Sequence, residues 1–228
     1  MSDVQFTSVG GECRGYLAVP STGTGPGVVV IQEWWGLVPH IREVADRFAR
    51  AGYVALAPDH YRGTATTEPD EAGKLMMGLQ VGAAADDIAG AADYLLALPE
   101  VSSESIGAVG FCMGGGLALL APTVHPRIVA TSAFYPAMPW PDYSPDWSRY
   151  AEREAIIHQA VSDTESSGAR IAEYAEEIAT SGGTVTRYDY PESVHAFFND
   201  HRPEVYQADN AELAWQRTLD LFERRLRS

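Results

Sequence analysis

The chain is poor in positive charge. Of its 228 residues only 16 are Lys or Arg, against 31 Asp or Glu, for a formal net charge of −15. Such a field repels phosphate backbones and anionic lipid surfaces, so neither nucleic acid nor membrane is an expected partner. Lysine is scarcest of all: Lys74 is the single one, so Schiff-base chemistry has one candidate side chain. Cysteine is limited to Cys13 and Cys112, far apart in the chain, which excludes a disulfide framework and gives no zinc-type spacing. No run approaches the roughly 20 apolar residues of a membrane span. The opening MSDVQFTSVG lacks the basic and apolar segments of a signal peptide. A cytoplasmic protein, monomer or homodimer, is the expectation. H-E-x-x-H, G-K-[ST] and G-x-G-x-x-G are missing as well, so no metal and no cofactor are expected.

What is present reads as one α/β unit over residues 1–228. VQFTS, Gly10-Gly11 and CRGYLAVP form a predicted hairpin. Val28-Val29-Val30-Ile31 is a continuous β-branched run, the mark of a strand covered on both faces. Ile41, Val44, Ala45 and Phe48 share one helical face, Gly52 ends that helix, and YVALAPD returns as a strand. Residues 60–80 are less regular, with room for a short helix. Helix 81–98, strand SIGAVGF, helix CMGGGLALLAP, strands RIVATSAFY and REAIIHQAV, helix 166–180, strand TVTRYDY and a closing helix over 204–226 follow. Strands alternating with helices predict a mostly parallel sheet with helices on both faces, and ligand chemistry in the loops after the strands.

Those loops hold the reactive residues. Gly110-Phe111-Cys112-Met113-Gly114 is a G-x-C-x-G turn between a strand and a helix. Small neighbours permit the sharp bend, and the helix N-terminus favours a thiolate and later an oxyanion. The backbone N–H of Met113, next after the cysteine, is a candidate oxyanion donor. Asp163 follows one later strand and opens the polar loop DTESSG; His195 follows the next, in VHAFF. The chain order nucleophile, acid, base is that of α/β-hydrolases. Taken singly, Cys112 also reads as a buried structural thiol, Asp163 as a loop or capping residue and His195 as a surface histidine; the ordered trio carries the information. His201 competes for the role of base. His158, within an apolar strand, reads as a core histidine, and His40, His60 and His125 have no partner legible in the sequence.

QEWWG after the first buried strand, APDHYRG, GFCMGGG and VHAFF together resemble the dienelactone hydrolase family, over nearly the whole chain. The resemblance implies an α/β-hydrolase fold with a mostly parallel central sheet, Cys112 as nucleophile, His195 as base and Asp163 as the acid that orients it. It also implies Glu33 beside the resting thiol, Trp34 as the second oxyanion donor, and hydrolysis of an ester or lactone through a thioester. Dienelactone-cleaving members hold the substrate carboxylate with two arginines. One would fall at Asn199, and the other in TEPDEAG, which has none. A neutral or weakly polar small-molecule ester or lactone is therefore the expected substrate. Trp35, Met76, Tyr135, Phe197 and Asn199 are candidates for its pocket, with Trp34, Met77, Trp140 and Trp147 nearby in character; scattered aromatics also read as plain core. A non-catalytic binding protein on the same fold and a redox-active thiol protein are the competing readings.

Overall fold

The computed structural model describes residues 1–140, 142–163 and 168–227. Eight strands form one sheet in the order β1-β2-β4-β3-β5-β6-β7-β8. The first two, β1 (Ser2–Ser8) and β2 (Gly11–Ala18), are the antiparallel hairpin expected from the Gly10-Gly11 turn. β2 joins β4 (Val54–Pro58) antiparallel, and every later pairing is parallel. β3 (Gly25–Ile31) is buried along its whole length, as its β-branched run requires of a strand inside a doubly covered sheet. β5 (Val101–Phe111), β6 (Ile128–Phe134), β7 (Glu154–Ala160) and β8 (Thr184–Tyr190) complete the array.

The helices are α1 (Pro39–Arg50), α2 (Pro69–Gly78), α3 (Val81–Ala97), α4 (Met113–Val124), α5 (Gly168–Thr180) and α6 (Ala208–Leu226). Successive residues of a strand face opposite sides of the sheet. Gly107 and Gly110 on β5, an odd number apart, show both coverings: a side chain at 107 would meet Phe222 and Leu226 of α6, and one at 110 would run into the backbone of α4. On the first side α1 joins α6 through Phe48 and Trp215, whose rings lie 4.5 Å apart. On the other, α3 packs on α4.

The structure departs from the expected elements at two places. The closing helix begins at Ala208, because residues before it are held in turns, with Gln207 N–H donating to the Phe197 carbonyl at 3.0 Å. A short 3-10 helix at Trp147–Tyr150, capped by the Asp146 carboxylate, was not foreseen. The irregular stretch 60–80 does contain a helix, α2. Of the loop DTESSG and the start of the predicted helix 166–180, residues 164–167 lie outside the described residues.

Candidate active site

Cys112 is the hinge between β5 and α4, at φ 55° and ψ −120°. That is a backbone conformation a non-glycine residue adopts only when its surroundings enforce it. Here they do. Cys112 N–H donates to the Phe134 carbonyl at 3.0 Å, while its own carbonyl accepts from Gly115, Gly116 and Ala137. The flanking glycines are steric necessities: a side chain at Gly110 would strike the Gly114 carbonyl, and one at Gly114 would strike the carbonyls of Ile31 and Gln32. The second contact presses the first turn of α4 against the loop that carries Glu33 and Trp34. Met113 is the first residue of α4, where helical N–H groups have no intrahelical acceptor.

The acid and base stand on neighbouring loops. Asp163 follows β7 and His195 follows β8, and the loops are tied by Ser162 N–H donating to the Ser193 carbonyl at 2.9 Å. His195 Nδ1 donates to Asp163 Oδ2 at 2.7 Å, and the Asp163 side chain is fully buried. The other partner of His195 is Cys112, with which it shares a side-chain hydrogen bond. Burial opposes the imidazolium, but negative charge at Cys112 and the bond to Asp163 outweigh it and raise the pKa to about 11. The imidazole thus stands between Asp163 and Cys112, bonded to both. Below, Ser193 is fixed by Gln207, which accepts its hydroxyl at 2.6 Å, and by Asn210.

His201, the rival base, instead donates from Nε2 to Glu43 at 3.0 Å on the exposed surface. His158 is buried in the sheet, bonded to Tyr190 and Thr218, as expected of a core histidine. His40, His60 and His125 have acidic partners that no sequence spacing disclosed: Asp200, Asp87 and Asp93.

Glu33 is buried, and its two oxygens are taken: Oε2 accepts from Asn199 Nδ2 at 2.9 Å and Oε1 from Tyr135 O–H at 3.4 Å. Tyr135 and Phe197 are fully buried and form a packed wall, their rings 5.5 Å apart, rather than an open lining. Asn199 does reach open space, in a cavity of about 450 Å³ that it lines with Trp35, Thr66 and Arg202, but its amide nitrogen is spent on Glu33. Trp34 and Trp35 stack edge to face at 4.9 Å, both half-buried. Met76, on α2, is half-buried, and its carbonyl accepts from Trp140. Arg62, in the sequence motif APDHYRG, is engaged with Asp87 through two bonds of 2.7 and 2.8 Å.

Tyr61 escaped the sequence reading. It is buried, donates its hydroxyl to Met113 Sδ at 3.2 Å, and its acidity is suppressed by burial and by the charge at Cys112. The signal was the APDHYRG segment, which pointed to the family without marking this ring.

The model of the dienelactone hydrolase family matches residues 13–226. A protein of Synechocystis sp., provisionally named carboxymethylenebutenolidase, is 34% identical across 95% of this chain and 93% of its own. "Protein usf" of Aquifex pyrophilus is 32% identical across 96% of each chain. Among solved structures, a dienelactone hydrolase-like promiscuous phosphotriesterase from metagenomic libraries superposes with a TM-score of 0.86 at 22% identity, covering 99% of this chain and 98% of that one.

Proposed function

Because the chain belongs to the dienelactone hydrolase family, with its α/β-hydrolase fold, we propose that it hydrolyses a carboxylic ester or lactone with Cys112 as nucleophile. The observation that carries this reading is the row of three side chains, Cys112 to His195 to Asp163, built on the strained turn at the start of α4. In the mechanism the Cys112 thiolate attacks the acyl carbon, and the carbonyl oxygen takes the electron pair. Met113 and Trp34 backbone N–H groups stabilise that oxyanion, each such donor being worth roughly 3 kcal/mol of barrier. Collapse expels the alkoxide, which takes the proton of His195 and leaves as alcohol, or as the hydroxyl end of an opened lactone. His195, now neutral, accepts a proton from water. The hydroxide attacks the thioester, the thiolate departs, and the carboxylic acid product is released. Asp163 holds the imidazole in the tautomer this sequence needs.

The engagement of Arg62 with Asp87 and the presence of Asn199 in place of an arginine support a neutral or weakly polar substrate. Cys13 weighs against a redox pair: it is fully buried, and burial together with the neighbouring Asp87 raises its thiol to about 12, which leaves little thiolate.

The test is turnover of p-nitrophenyl acetate by Cys112→Ala and His195→Ala. Both should lose at least about a thousandfold in kcat, as members of one catalytic unit do. Retention of more than about a hundredth of wild-type activity in Cys112→Ala would remove the nucleophile from that role.

A further inference from the structure

The loop after β8 carries a second cluster, apart from the cysteine. His40, the second residue of α1, lies with its Nδ1 3.3 Å from Asp200 Oδ1, and its ring is 5.5 Å from that of His201. One ligand atom from each of His40, Asp200 and His201 falls within 4.8 Å of the others. Glu43, three residues along the same helix, adds a carboxylate against His201. We propose that His40, Asp200 and His201 bind one divalent transition-metal ion of the zinc or nickel type, pinning the loop that carries His195 to the start of α1.

The chemistry of the donors selects the ion class. Two imidazoles and a carboxylate suit zinc, nickel or copper better than calcium or magnesium, which take oxygen ligands. Ligands bound at about 2.1 Å around one ion stand roughly 3–3.5 Å apart. The His40–Asp200 pair already meets that spacing. Asp200 and His201 are exposed, so rotation of their side chains closes the remaining gap.

His40 supplies an independent sign. Its side chain is 5% exposed, its ring packs edge-on near Phe111 and Phe198, and its Nε2 has no hydrogen-bond partner among the described residues. A buried imidazole with one nitrogen wasted is a poor structural element but a rigid ligand: Nδ1 offers its lone pair to the ion and the ring proton resides on Nε2. The guanidiniums nearby oppose a cation, yet Arg47 is neutralised by Glu212 and Arg202 by Glu204, leaving Arg50 beside the cluster. The net charge of −15 favours cation uptake overall. No sequence spacing could reveal the site, since its ligands come from two segments at opposite ends of the chain.

The experiment uses full-length, chelator-stripped protein, titrated with zinc chloride and with nickel chloride by calorimetry and by thermal denaturation. Wild type should bind one ion per chain saturably and melt at higher temperature. His201→Gln and Asp200→Ala, both surface changes checked by circular dichroism, should each weaken binding at least tenfold. Cys112→Ala should bind as wild type does. The proposal fails if wild type shows no saturable binding, or if both surface variants stay within threefold of wild type. It fails equally if Cys112→Ala alone abolishes binding, because the ion would then be held by the thiolate. These readouts do not depend on esterase activity, so they stand or fall apart from the proposed reaction.

Discussion

At the scale of single residues, Cys112 and His195 are electrostatically coupled. Burial disfavours the charge on His195, but negative charge at Cys112, followed by the bond to Asp163, overcomes it. Removing the anion must lower the pKa, since the charged imidazolium loses its nearest counter-charge. In Cys112→Ala, the His195 ring should titrate by NMR well below the value of about 11 it has beside the thiolate. A ring that titrates as high without Cys112 as with it would mean that the pair is not coupled. Glu33 teaches a related lesson. Its place after a buried strand was legible, but its partners were not: Asn199, whose amide bonds it, stands 166 residues away.

At the scale of elements, the turn from β5 to α4 is built on glycines that leave no space for a methyl group. At Gly110 a side chain would collide with backbone on α4, which cannot move without moving Cys112. Gly110→Ala should therefore destabilise by about 3 kcal/mol or more and diminish soluble yield. Gly10→Ala, where an added side chain meets only Ser8 Oγ at 3.8 Å, should stay within about 0.5 kcal/mol of wild type by urea denaturation. Equal effects of the two would show that crowding is not what these glycines avoid. Strand and helix identities were legible for β3, α1 and α4, because periodicity and turn residues agree there. The start of α6 was not: residues 204–207 have helix-compatible chemistry, but tertiary bonds to Phe197 and Glu192 claim Gln207 for the turn beneath His195. The burial of Tyr135 and Phe197 was equally hidden, since an aromatic near a site reads the same whether it lines a pocket or walls it.

At the scale of the whole molecule, His158 joins the sheet to its covering helix. Its ring lies on β7, Nδ1 accepts from Tyr190 on β8 at 2.8 Å, and Nε2 meets Thr218 on α6 at 3.2 Å. Burial, reinforced by the charge of Arg217, lowers its pKa to about 3, so the fold holds it neutral. An unfolded histidine binds a proton near pH 6.5. Between those two values the unfolded chain therefore carries a proton that the native state refuses. Stability falls as the pH drops through that window, by up to about 1.4 kcal/mol per pH unit from this group. His158→Gln should flatten the pH dependence of urea unfolding between pH 6.5 and 4 relative to wild type; an unaltered slope would assign the acid sensitivity elsewhere. The sheet order holds one more consequence. Cys112 follows a central strand, with β3 and β6 on either side, whereas His195 follows β8, the outermost, which pairs with β7 alone among the described strands. An outer strand is the first to let go when the molecule breathes. If the proposed reaction runs through Cys112 and His195, gentle warming should cost activity before the central strands open, and cooling should restore it.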